Sequence, residues 1–167
     1  MSNQMYEMVK DFHKAFNHPV SEKPTAMKED VALSRAVWTG EELVEFLYAT
    51  AAGNNEKFTK LYGEFLKGLD KAYQKSVDNT DPIDDVLVAQ ADALVDVEYF
   101  NQGSFTILGV EPFELFKIVQ EANMGKLWED GKPRFREGDG KIVKPPMWEE
   151  NFAPEPRLKQ EIKRQSN

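Results

Sequence analysis

The stretch "TGEELVEFLYA" (residues 39–49) decides the fold. It sets Glu41, Glu42 and Glu45 among Leu43, Val44, Phe46 and Leu47. On an α-helix Glu41 and Glu45 lie one turn apart and Glu42 and Glu45 three residues apart, so the three carboxylates share a sector roughly 100° wide. The flanking apolar residues prevent that sector from being read as plainly solvent-facing. Either the charges are solvated and partnered by Lys or Arg, or something positive sits against them.

Working outward, Val31, Leu33, Val37, Trp38, Leu43, Val44, Phe46 and Leu47 suggest one long helix from Glu29 to Ala52, entered after Thr25 and ended near Gly53. Upstream, Met5, Met8, Val9, Phe12, Ala15 and Phe16 predict an amphipathic helix over 3–16, broken by "NHPVSEKPT". Downstream, Phe58, Leu61, Tyr62, Phe65, Leu66, Leu69 and Tyr73 predict a third helix over 55–76. A turn at "SVDNTDP" puts Pro82 in the first position of a fourth helix that Gly109 stops, and Pro112 opens a fifth. Strand-like alternation is nearly absent until "GKPRFREGDGKIVKPP", which suggests a short hairpin around Asp139 and Gly140. The last twenty residues are polar and proline-spaced, as in a tail or a short docking helix. The expectation is an all-α bundle of about five helices over 1–148, with a C-terminal tail over 149–167.

At 167 residues with a normal apolar and charged content, the chain suits a folded domain and excludes a disordered or fibrous one. A net charge of −8 argues against general nucleic-acid binding, which depends on Lys and Arg neutralising phosphates. A small polyanion can still bind where a metal or a local basic patch reverses the sign. No apolar run spans a membrane and no secretory signal is visible. The absence of cysteine excludes disulfides, thiolate catalysis and cysteine-ligated metals, and makes a reducing cytoplasm the simplest location.

The predicted fourth helix carries a second acidic pair, Asp92 and Asp96, four residues apart among Leu87, Val88, Leu94, Val95, Val97, Tyr99 and Phe100. Asp is a poor helix former and needs a reason to be there. If the two acidic helices pack side by side, the repulsion among four or five carboxylates costs several kcal/mol without a counter-charge. Hard divalent cations such as Mg²⁺ or Mn²⁺ are the usual answer. Glu98 lies about 200° around the helix from Asp96 and is set aside.

Glu41-Glu42-x-x-Glu45 followed by the acidic pair in "ADALVDVEYFNQGSFTILGV" resembles the all-α NTP pyrophosphohydrolases, the MazG-like superfamily, and is most similar to its phosphoribosyl-ATP pyrophosphohydrolase-like members. "DFHKAFNHPVSEKP" is similar to their N-terminal helix and Pro-containing loop, and Gly103 to a Gly on their fourth helix. "EANMGKL" is similar to their S-N-x-x-K segment at Asn123 and Lys126, and "DGKIVKPPMW" to their D-G-K-x-x-K-P tail at Asp139, Gly140, Lys141, Lys144 and Pro145. The resemblance spans roughly residues 8 to 148. It departs at one place: if Asp96 is the Asp of the E-x-x-D motif, Ala93 occupies the Glu position, and Asp92 offers a replacement ligand.

The resemblance implies Mg²⁺-dependent hydrolysis of a nucleoside triphosphate between the α and β phosphates, Mn²⁺ being an alternative. Glu42, Glu45, Asp92 and Asp96 become metal ligands. Glu41 becomes a further ligand or the general base, with the roles of Glu41 and Glu42 exchangeable. Lys126, Lys141 and Lys144 become phosphate contacts, although "GKIVKPP" also reads as an exposed basic loop. Asn123 either contacts base or sugar or caps its helix, and His13 either lines a nucleotide pocket or packs against Phe12 and Phe16. Trp38 reads as core or dimer interface, and Arg35 as a surface ion pair ahead of a partner for the carboxylate cluster or for a phosphate. A homodimer or homotetramer is expected, both from the relatives and from apolar faces left uncovered. Two other readings stand beside this one: a fold-keeping nucleotide binder without turnover, which Ala93 favours, and a helical interaction module with solvated acidic stripes.

Overall fold

Asn3 opens the chain's first helix, its side chain accepting a hydrogen bond from the Tyr6 N–H at 3.3 Å. In the computed structural model, which describes residues 3–138 and 140–167, seven helices follow one another: α1 (Gln4–Ala15), α2 (Glu29–Thr50), α3 (Asn55–Val77), α4 (Val86–Leu108), α5 (Pro112–Met124), α6 (Trp148–Phe152) and α7 (Glu155–Gln165). The protein is all-α. The sole extended pairing among the described residues is an antiparallel bridge between Phe135 and Ile142, flanked by Arg136 N–H donating to Lys141 O and Val143 N–H donating to Arg134 O, both at 2.8 Å. This is the expected short hairpin; Asp139, part of that expectation, lies outside the described residues. Among the described residues, no helix is long and apolar enough to cross a membrane.

One helix start differs from expectation. Pro82 does not open α4, which begins at Val86, where the Asp85 carboxylate accepts a hydrogen bond from the Val88 N–H at 3.1 Å. A capping carboxylate satisfies an N–H that has no partner within the helix, whereas proline only spares one, so the cap fixes the start. α2 begins at Glu29, as expected, after a segment over residues 25–28 that has no regular structure. That segment is held by the Gln90 side-chain amide of α4, which accepts from Met27 N–H at 2.8 Å and donates to Met27 O at 3.1 Å.

The chain divides into two compact units, Met1–Lys23 with Leu94–Asn167, and Pro24–Ala93. In the first unit α5 is central: α1 and α7 both pack on it, and Phe16, Leu115, Ile118, Ala122 and Trp148 are buried. Gln120 donates to Met8 O at 2.8 Å, tying α5 to α1, and Arg157 pairs with Glu121 at 2.5 Å, tying α7 to α5. The polar last twenty residues thus contain two helices, the longer docked on α5.

In the second unit α2 and α3 form a helical hairpin. Its tight turn uses Ala52 and Gly53 at φ of 51° and 79°, and Asn54 caps α3 by accepting from Lys57 N–H at 2.9 Å. Tyr48 meets Phe58 edge to face across the hairpin, with centroids 5.2 Å apart. The hairpin buries little beyond Ala51, and Leu33, Val37, Phe46, Leu69 and Tyr73 remain exposed.

Candidate functional site

The acidic residues sit where helical spacing put them. Glu41, Glu42 and Glu45 lie on α2, and Asp92 and Asp96 one turn apart along α4. All five are exposed, and none makes an ion pair or a hydrogen bond among the described residues. The expected surface pair for Arg35 is not found among the described residues: its guanidinium lies over the Trp38 ring, 5.3 Å from its centroid, and Trp38 itself is half exposed. A carboxylate set without cationic partners, on helices otherwise apolar, fits the donor chemistry that hard divalent ions require. Among the described residues, no group of three acidic or histidine side chains is closed enough to hold a metal ion.

The basic side is built at the C-terminal end of α5. Asn123, in its last turn, accepts from Lys126 Nζ at 2.7 Å. Trp148 of α6 is buried there, its indole N–H donating to Ala122 O at 2.9 Å. Lys144 Nζ stands over the Trp148 ring, 3.7 Å from its centroid, and Lys126 Nζ lies 6.0 Å from the same centroid. Lys144 is also paired with Glu149 at 2.6 Å. Lys126 is half-buried and has no carboxylate partner among the described residues. Burial first, and the Lys144 charge second, hold its ammonium below the usual lysine range.

Gly125 makes this arrangement possible. A Cβ at that position would overlap the Phe152 ring, so only glycine lets α6 close against the end of α5. Lys141 is exposed on the hairpin, its backbone carbonyl accepting from Arg136 N–H.

His13 lies on α1. Its Nδ1 lies 2.9 Å from the Pro19 carbonyl, which makes Nδ1 the protonated nitrogen, and its ring lies 5.3 Å from that of His18. Phe12 completes the group, 4.3 Å from Phe16 and 5.7 Å from His18 between centroids. Trp148, Glu149, Gly125 and His18 were not singled out by sequence reasoning. For Trp148 the available signal was its place four residues after Lys144, beyond a Pro-Pro pair that turns the chain back.

Residues 9–123 match the family model described as phosphoribosyl-ATP pyrophosphohydrolase. The crystal structure of a candidate NTP pyrophosphohydrolase from Exiguobacterium sp. 255-15 is similar to this chain, with a TM-score of 0.90 and 46% identity, covering 99% of this chain and 98% of that one. No curated protein gives a significant match. A family match over most of the chain, and a structural relative that agrees with it from end to end, place this chain in the phosphoribosyl-ATP pyrophosphohydrolase family, as a nucleotide pyrophosphohydrolase.

Proposed function

We propose that the enzyme hydrolyses a nucleoside triphosphate between its α and β phosphates, releasing the nucleoside monophosphate and pyrophosphate, with Mg²⁺ or Mn²⁺. The observation that carries the reading is the set of five carboxylates, without cationic partners among the described residues, on two apolar-rich helices of a chain that belongs to this family. Glu42, Glu45, Asp92 and Asp96 would hold the metal. When bound, it neutralises the phosphate oxygens on which charge develops. Glu41 takes the proton of a water whose oxygen attacks the α-phosphorus, the α–β bridging bond breaks, and its electrons leave with pyrophosphate. Asn123, Lys126, Lys141 and Lys144 bind the substrate, the lysines as point charges on the phosphate chain. His13 contributes to the nucleotide pocket. Asp92 supplies the carboxylate that Ala93 lacks.

The active form is a homodimer or homotetramer. Val95, Tyr99, Phe100 and Ile107 of α4 are 66, 76, 72 and 88% exposed in a single chain. An apolar surface of this extent is covered in solution, and a second copy of the same chain covers it most economically. The lack of cysteine suits a reducing compartment such as the cytoplasm.

The test is pyrophosphate release from a panel of NTPs, dNTPs and phosphoribosyl-ATP with Mg²⁺ or Mn²⁺, and with EDTA as control. Metal-dependent release is expected from at least one substrate. Release undiminished by EDTA, or no release from any of them, would sink the mechanism.

A further inference from the structure

Two ammonium groups gathered on one buried indole make an unusual surface in a protein of net charge −8. Lys126 is the less satisfied of the two, half-buried with a neutral amide as its hydrogen-bond partner. Lys144 has a carboxylate partner, but Glu149 is mostly exposed and lies on the short α6 that also carries Trp148. The indole cannot drift: its N–H is fixed on Ala122 O, and Phe152 at the other end of α6 is seated on Gly125. An electron-rich ring face attracts cations, and more strongly where water is partly excluded. Like charges brought close repel each other, so this geometry is costly unless an anion is placed between them.

We propose that Trp148 is a positioning residue that seats Lys126 and Lys144 side by side for a pyrophosphate group, and that Glu149 is the stand-in anion which the pyrophosphate displaces from Lys144. This rests on the pyrophosphohydrolase reading of the same site and adds two residues to it. Neither Trp148 nor Glu149 reacts. Trp148 sets where the two charges stand, and Glu149 sets how tightly the phosphate chain must compete for one of them.

The experiment is calorimetric titration of the full-length protein with inorganic pyrophosphate in excess EDTA, which reads the basic site without metal or turnover. Trp148→Leu removes the ring face and is expected to weaken binding about fivefold or more, whereas Trp148→Phe keeps a face and stays within about twofold of the parent. Glu149→Gln changes an exposed side chain with little risk to folding. It is expected to tighten binding about two- to fivefold, the scale of a surface ion pair released. Equal weakening in Trp148→Phe and Trp148→Leu would overturn the positioning role, and unchanged or weaker binding in Glu149→Gln would overturn the displacement. Turnover of a nucleotide by a protein that does not bind pyrophosphate would remove this site and leave the reaction standing. Pyrophosphate binding without turnover of any substrate would do the reverse.

Discussion

α5 and α4 are both rich in apolar residues, yet they live differently in the same chain. α5 buries Leu115, Ile118 and Ala122, is braced by α1 and α7, and has polar side chains tied by Glu114–Lys117 and Glu121–Arg157 pairs. α4 has no fully buried residue: every residue from 91 to 101 is exposed, large apolar side chains and the Asp92 and Asp96 carboxylates alike. The first is a helix whose contacts are complete within one chain. The second presents two kinds of unfinished surface, one asking for hydrocarbon and one for positive charge. Neither need can be met from within the helix itself.

The widest gap between the two should come from the carboxylates. Glu42→Ala and Asp96→Ala are expected to lower kcat/KM by more than about 100-fold, above the usual loss for a residue that only supports a metal ligand. Without metal, both variants should melt no lower than the parent, because these side chains have no partner to lose among the described residues. Circular dichroism melts in EDTA beside the activity assay check both halves, and a large fall in stability would mean that α2 and α4 are as fully partnered as α5.

Leu115→Ala removes a buried side chain and should cost about 2–5 kcal/mol in urea unfolding, by the same amount at every protein concentration. Phe100→Ala should instead weaken self-association about tenfold, seen by sedimentation, as for an aromatic anchor at an interface. If the two variants exchanged signatures, the assignment of core and contact surface would be inverted.

A smaller effect comes from acid. Glu161 of α7 accepts from Arg164, at 2.6 and 2.7 Å, and from Gln165 at 2.9 Å, and these bonds, the Arg164 one foremost, hold its carboxyl down to about 2 from an ordinary 4.5. A folded-state value below the unfolded one means that the stabilisation is complete above pH 4.5 and is lost as pH falls toward 2. The stability difference between the parent and Glu161→Gln, followed by urea unfolding, should therefore shrink across that range. A constant difference would show that the bonds do not depend on the charge.

The sequence made α3 and α5 legible because their apolar residues recur every three or four positions and proline or asparagine marks their starts. It misplaced the start of α4, where Pro82 outweighed the less conspicuous Asp85. It also gave little weight to α7, a helix of low overall hydrophobicity whose attachment depends on a few residues: Arg157 reaching Glu121, and Gln165 bonding the Glu111 backbone through both ends of its amide. At the site, the motif residues were visible because their chemistry is local to a helical turn. Trp148 was not, since its importance lies in a contact with Ala122, 26 residues away, and nothing in "PPMWEE" announces that distance.

Gly125 carries a consequence for how sequences of this kind drift. Because the Phe152 ring occupies the space a Cβ would need, the two positions are not free to change one at a time. An alanine at 125 becomes tolerable only in a chain where 152 has already become smaller, and a lineage that made the second change first would pass through a stage in which α6 is loosely held. Among relatives, glycine at 125 should therefore travel with an aromatic residue at 152, and any chain that has lost one should have lost the other.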